Sequence, residues 1–440
     1  MNERKQLVVI ALDGVPFSLL KKMVAEGNMP HVGKLLKESA LFKIDSVHPP
    51  ISSVAWASFW TGAKPAEHGI TGFIERDPGT LEWFVPNAKH LKKKTLLQLL
   101  SEVGKRVFSL NVPVTYPPTK VNGIVVSGFL GSDLAKGTYP PAIGSFLKAK
   151  GYRIDADVEA GKKDPDKFYH QLIEIMEKRF EMLRYFYENG PWDFFMGHIM
   201  ETDRLHHFFW RYYEERVEPY SAYFFNFYQK LDSLLGQFFK QLPDDAPLLL
   251  LSDHGFTRLK YEVNLNRWLM ENGYLYFKQA PPQNLKDLHE FTTAYSLYPG
   301  RIYLNLKGRE KTGKVQAGIE YETICNELSA KLMQLKDPNG KPVVQKVVRG
   351  YEGYGLPKTL DHQIFVDPLQ FKNIPDLLIL PEEGYDFKGV LWAKKTFEQT
   401  MFNGTHTYNN AFLLTRKITP KNGVKDITDV FGLIKNFFEI

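Results

Sequence analysis

Short apolar runs of strand length, alternating with stretches of helical period, constrain this chain more than any other feature. Gln6 to Leu12, Arg106 to Leu110, Gly123 to Val126, Trp192 to Ile199, Pro247 to Leu251 and Ala411 to Thr415 read as strands. Between them Pro16 to Glu26, Pro30 to Ser39, Thr95 to Val103, Asp166 to Glu188 and Pro219 to Gln241 read as helices, the fourth running out at Asn189-Gly190-Pro191. Runs that stay apolar on both faces need cover on both sides, so the alternation implies an α/β fold, a mainly parallel sheet flanked by helices. The chain has 440 residues, of which 43% are hydrophobic and 14% aromatic, enough for a large core and two or three lobes.

After Phe256 the pattern changes. Residues 284–367 are richer in glycine, proline and charge, with Arg301 to Leu306 strand-like, Tyr321 to Leu335 helical and a turn at Asp337-Pro338-Asn339-Gly340. This segment reads as an inserted α+β cap lobe. Asp376 to Leu380 then reads as a further core strand. The expected organisation is a discontinuous catalytic core, 1–283 and 368–440, interrupted by the cap at 284–367.

Charge and composition exclude several classes. The net charge is +6, but lysine and arginine are dispersed and the densest run is Lys92-Lys93-Lys94, so no nucleic-acid footprint is visible, while small anionic substrates are favoured. A single cysteine, Cys325, rules out an internal disulfide framework and a cysteine-rich zinc site. The run Leu7 to Leu12 is too short for a signal-peptide core and ends at Asp13, and no run reaches membrane-spanning length. A cytoplasmic location is expected. Repeats, a phosphate loop and a dinucleotide glycine fingerprint are absent from the sequence.

Chemistry gathers at the ends of these elements. Two prolines precede Ile51-Ser52-Ser53, and Val54 to Trp60 reads as a short helix ended near Gly62. Ser52 or Ser53 reads first as a helix cap, the usual role of serine there, and Ser52 also as a hydroxyl placed where the helix N-terminus favours an anion. Asp13 ends the first strand and Asp253-His254 ends a later one, the edge of a parallel sheet where ligands bind. Asp203 and His207 are four apart and project from one helix face, although His206 competes on spacing. With His406 the inventory is three carboxylates and three imidazoles, a mixed oxygen and nitrogen set suited to zinc, manganese or iron(II). Each residue alone also has a plainer reading as a turn, cap, core or loop residue. Trp56, Phe59 and Trp60 read as core or as a pocket floor.

Taken in order, these blocks carry a resemblance. Ala-Leu-Asp13-Gly, Pro-Pro-Ile-Ser52 with Gly62 and His68-Gly69 after it, Asp203 with His207, Ser-Asp253-His254-Gly-Phe and Gly-Thr-His406 resemble the alkaline phosphatase superfamily. The chain looks most like its type I phosphodiesterase and nucleotide pyrophosphatase branch. Within that branch, Asn264 to Leu269 and Asn305 to Arg309 are similar to motifs of the prokaryotic phosphohydrolase or phosphomutase group.

The resemblance implies an alkaline-phosphatase-like core and two divalent ions, zinc with manganese or iron(II) as alternatives. Asp203, His207 and His406 would hold one ion. Asp13, Asp253 and His254 would hold the other, with Ser52 on it as nucleophile forming a phosphoseryl intermediate. The implied activity is phosphate-ester hydrolysis, of diesters first, with a monoesterase, a phosphomutase or a non-catalytic metal-bound protein as alternatives. Ala55 stands where nucleotide pyrophosphatases have a phosphate-contacting asparagine, and the Ser52 to Trp56 stretch lacks the sulfatase pattern.

Overall fold

In a computed structural model, which describes residues 5–129, 131, 133–356, 368–369, 371–420 and 423–440, Leu7–Leu12 is a fully buried strand near the middle of an eight-stranded sheet. The strand order is Ala40–Ile44, Ala411–Arg416, Leu248–Leu251, Leu7–Leu12, Phe194–Ile199, Val107–Val112, Gly123–Ser127, Thr138–Tyr139. The five strands from Leu248–Leu251 to Gly123–Ser127 are mutually parallel. Ala411–Arg416 runs antiparallel to Leu248–Leu251 and to Ala40–Ile44. All four parallel pairings join strands that are almost wholly apolar, as burial on both faces requires. The expected α/β architecture is therefore the observed one.

By contact, the described residues fall into two units: Met1–Ala63, Asn87–Thr257 and His406–Ile440 form the first, and Lys64–Pro86 and Arg258–Thr405 the second. The segment 284–367 lies within the second unit's range, and its residues 357–367 are outside those described. Leu377–Pro381 is a strand, but it pairs antiparallel with Arg301–Leu304 and Val344–Arg349 in the second unit rather than joining the main sheet. A short run of four aliphatic residues reads alike whichever sheet takes it.

The second unit has its own apolar core, in which Tyr321, Cys325, Leu328 and Leu332 of the helix Ile319–Met333 are buried with Ile302, Leu304, Leu377 and Ile379 of the sheet. Several of its buried charges are paired. Arg309 donates to both oxygens of Asp376, at 2.9 and 2.6 Å, and Arg76 to Glu310 at 2.7 Å. Arg301 donates to Glu75 at 2.8 Å. Arg76 and Glu75 thereby tie the separate segment Lys64–Pro86 into the unit. The motifs at Asn264 and Asn305 also turn out to be scaffolding: Asn266 accepts from Ser296 N–H and donates to its carbonyl, and Asn305 donates to the carbonyls of Thr292 and Thr312.

His68 is fully buried, and its Nδ1 accepts from the Ile70 N–H at 3.1 Å, so the ring must be neutral on that side. Burial pushes its pKa down to about 3. Because the unfolded chain takes up this proton near pH 6.5 and the folded one does not, stability falls as the pH drops from about 6.5 towards 3, by about 2 kcal/mol at pH 5. His68→Gln retains an acceptor without the titration. The stability difference between parent and variant, measured by urea unfolding, should therefore shift by about 2 kcal/mol in the variant's favour between pH 7 and pH 5. A difference independent of pH would show that His68 does not titrate in this way.

Candidate metal centre

Asp13 follows directly on Leu12, and Asp253-His254 follow Leu251, so the parallel strands deliver all three to the carboxyl edge of the sheet. Gly14 turns the chain with φ of 65°, and its N–H donates to Asp253 Oδ1 at 3.1 Å. A Cβ at Gly14 would lie 3.0 Å from His254 Cε1, so a larger residue there would crowd the imidazole and strain a left-handed backbone that suits glycine.

The helix after the prolines is Ser52–Thr61, closed by Gly62 with φ of 63°. Its N-cap is Ile51, so neither serine occupies the capping position. Ser52 stands at the first helical position with its hydroxyl 3.1 Å from Asp13 Oδ1 and 3.3 Å from His254 Nε2. Trp56, Phe59 and Trp60 are fully buried.

Two clusters of electron-rich atoms result. Asp203, His207 and His406 form one, Asp13, Asp253 and His254 the other, with the donor atoms of each within 4.8 Å of one another. In the first, His406 Nε2 lies 3.1 Å from His207 Nε2 and 3.2 Å from Asp203 Oδ1. The helix Glu201–Glu215 supplies Asp203 and His207 from one face, as their spacing implies. His206 points into the core instead: its Nδ1 donates to the Gly14 carbonyl at 3.1 Å and its Nε2 accepts from the Tyr228 hydroxyl at 2.7 Å. In the second cluster His254 Nδ1 donates to the Gly255 carbonyl, which leaves the Nε2 lone pair facing Asp13 Oδ1 at 3.5 Å and Asp253 Oδ2 at 3.4 Å. The His254 and His406 rings, one from each cluster, have centroids 4.1 Å apart.

Each carboxylate has one oxygen held by the protein and one turned to the cluster. Asp13 Oδ2 accepts from His198 Nε2 at 2.7 Å and Trp56 Nε1 at 3.0 Å. Asp203 Oδ2 accepts from Arg204, itself paired with Asp155. Asp253 Oδ1 accepts from Gly14, while its buried Oδ2 accepts no hydrogen bond among the described residues. Burial pushes Asp13 up, but the His198 hydrogen bond and nearby histidines outweigh it and hold the carboxyl below its usual range. Burial likewise raises Asp203, and His207, His406 and Arg204 bring it well below that range. Asp253 is driven well above it, by burial and then by the Asp13 charge. Burial brings His254 down to about 4, so it is a neutral donor at neutral pH. Converging lone pairs, an unpartnered buried oxygen and a carboxylate repelled by its neighbour fit divalent cations, and the nitrogen and oxygen donors fit transition metals.

Spacing did not reveal Trp56, His198 or Arg204. Trp56 lies four residues after Ser52, on the same helix face, and His198 is the one imidazole in an otherwise apolar buried strand, so both carried a weak signal.

The sequence model of the type I phosphodiesterase / nucleotide pyrophosphatase family matches residues 7–409. Among solved structures, the phosphonoacetate hydrolase of Sinorhizobium meliloti 1021 in complex with phosphonoformate is similar at 17% identity and a TM-score of 0.64, covering 99% of this chain and 95% of that one. Murine ectonucleotide pyrophosphatase / phosphodiesterase 5, as an inactive threonine-to-alanine variant in complex with AMP, is similar at 14% identity and a TM-score of 0.58, with the same coverage. Human ectonucleotide pyrophosphatase / phosphodiesterase 5 matches at 14% identity and a TM-score of 0.56 over the same shares. With the family pattern running through nearly the whole chain and the clusters in place, this chain belongs to the type I phosphodiesterase / nucleotide pyrophosphatase family and is a metal-dependent phosphoester hydrolase.

Proposed function

We propose that the protein is a two-metal phosphodiesterase that acts through a phosphoseryl intermediate on Ser52. One observation carries this reading: the Ser52 hydroxyl lies within 3.3 Å of both Asp13 Oδ1 and His254 Nε2, at the first position of a helix. Asp203, His207 and His406 would hold one ion, and Asp13, Asp253 and His254, with Ser52, the other; zinc suits this donor set best, with manganese or iron(II) as alternatives. Bound there, such ions would supply Lewis-acid stabilisation of the serine alkoxide and of the departing oxygen.

The chain's own residues supply the rest. Asp13 and His254 orient the hydroxyl, and the helix N-terminus favours the anionic phosphate in front of it. Attack forms the Oγ–phosphorus bond and breaks the bond to the leaving alcohol; water then cleaves the phosphoserine and restores Ser52. The family's phosphodiesterase character favours a diester. Ala55, where an asparagine would contact phosphate, disfavours nucleoside pyrophosphates. The composition of 284–367 suggests that this segment helps select the substrate, and a cytoplasmic setting fits the single buried cysteine. Among the described residues no helix is long and apolar enough to cross a membrane.

The test compares nitrophenol release from bis(4-nitrophenyl) phosphate and 4-nitrophenyl phosphate with each metal. The diester should turn over faster. Release from the monoester alone would replace the diesterase reading with a monoesterase or phosphomutase, and no release from either would favour a binding protein. Chimeras exchanging 284–367 for a relative's segment should change the preference while Ser52 is still phosphorylated; an unchanged preference would remove that segment's role.

A further inference from the structure

Asp13 is the residue of the second cluster nearest the proposed nucleophile, and its two oxygens are treated differently. Oδ1 faces Ser52 and His254. Oδ2 receives two hydrogen bonds, from the Trp56 indole N–H at 3.0 Å and from His198 Nε2 at 2.7 Å. Indole is only a donor, and a ring nitrogen against a carboxylate oxygen must donate as well, so both lone pairs of Oδ2 are engaged. The two donors brace each other: their rings meet edge to face, with centroids 5.0 Å apart and an interplanar angle of 89°. The main chain of Asp13 is pinned too, its N–H on the Ile199 carbonyl and its carbonyl accepting from Thr202 Oγ1.

This arrangement is costly to keep. His198 is fully buried in the strand Phe194–Ile199, and its Nδ1 has no hydrogen-bond partner among the described residues. An unpaired buried polar nitrogen carries a desolvation penalty that an apolar residue in the same apolar strand would avoid. The return for that cost is the orientation of Asp13. Ser52 and Trp56 are four residues apart on one helix, so the same element that displays the hydroxyl also clamps the carboxylate.

From this geometry, and resting on the reading of Asp13 as a metal ligand, we infer that Trp56 and His198 are positioning residues that fix Asp13 by Oδ2, so that it offers Oδ1 alone to the ion beside Ser52. Outer hydrogen bonds of this kind change metal affinity by about 10–100-fold when removed. Their loss should be felt by that ion alone, because the cluster of Asp203, His207 and His406 has a separate support, Arg204 on Asp203 Oδ2.

The experiment titrates Zn²⁺ into the full chain against a chromogenic chelator, resolving the affinities of the two ions in the parent, Trp56→Phe, His198→Phe, His198→Gln and Asp13→Ala. Trp56→Phe keeps the aromatic ring and removes one N–H; His198→Gln keeps an amide donor. Expected are one affinity weakened about 10–100-fold in Trp56→Phe and His198→Phe with the other unchanged, and a partial return in His198→Gln. If His198→Phe fails to fold, the other two variants carry the comparison. Loss of one ion in Asp13→Ala, with parent affinities in Trp56→Phe and His198→Gln, would overturn the positioning role while leaving the metal site intact. Parent affinities in Asp13→Ala would overturn the ligand reading itself, and the inference with it. Equal weakening of both ions in Trp56→Phe would reduce the role to general packing and also overturn it.

Discussion

Ser52→Ala should lower turnover of a phosphodiester by roughly 10³-fold or more while leaving metal content and fold unchanged. The expectation follows from where the hydroxyl stands. Ile51 occupies the N-cap, so Ser52 is not needed to start its helix, and the change should not bring even the ~1 kcal/mol loss of a missing cap. The six side chains of the two clusters are untouched. Ser53→Ala is the control, since Ser53 is the neighbouring buried hydroxyl. Ser52→Thr retains a hydroxyl and should keep part of the activity. Rapid quenching during turnover should yield a phosphopeptide containing Ser52; phosphate on Ser53, or near-parental rates in Ser52→Ala, would place the nucleophile elsewhere.

Removal of divalent ions should abolish activity and destabilise the chain, and re-addition of zinc or manganese should reverse both effects. Without a cation, Asp13 and Asp253 face each other across a fully buried site, and Asp253 is driven upward by burial and by that repulsion. A bound cation relieves both penalties in the folded state only. Each ion at a free concentration a thousandfold above its dissociation constant stabilises by about 4 kcal/mol, so chelation should lower the melting temperature visibly. Asp253→Ala and His406→Ala should each lose one ion as well as rate. An active, chelator-washed preparation without transition metal by elemental analysis would refute the requirement.

The sheet was legible because its strands are buried on both faces: Leu7–Leu12 and Leu248–Leu251 are apolar throughout and too short to read as helices. The pairing of Asp203 with His207 was legible from helical period, and His206 could be separated from His207 only by its burial against Gly14 and Tyr228. Other features have no local signature. Nothing in Lys64–Pro86 announces that its Glu75 and Arg76 will pair with Arg301 and Glu310, more than two hundred residues away. The sheet that takes Leu377–Pro381 depends on the same kind of distant partner. Ser52 was ambiguous because a cap and a displayed hydroxyl require the same residue type next to the same helix; only the position of Ile51 separates them.

The alternation of the two units along the chain has a consequence for biosynthesis. The chain leaves the first unit after Thr257 and returns to it at His406. Asp203 and His207 therefore emerge from the ribosome long before the imidazole that completes their cluster, with most of the second unit made in between. A nascent chain stalled before His406 would already carry the Ser52 hydroxyl and the Asp13, Asp253 and His254 donors, yet only one of the two clusters would be whole. On the proposed two-metal reading, a growing polypeptide would gain catalytic competence only once His406 has been made and folded into place.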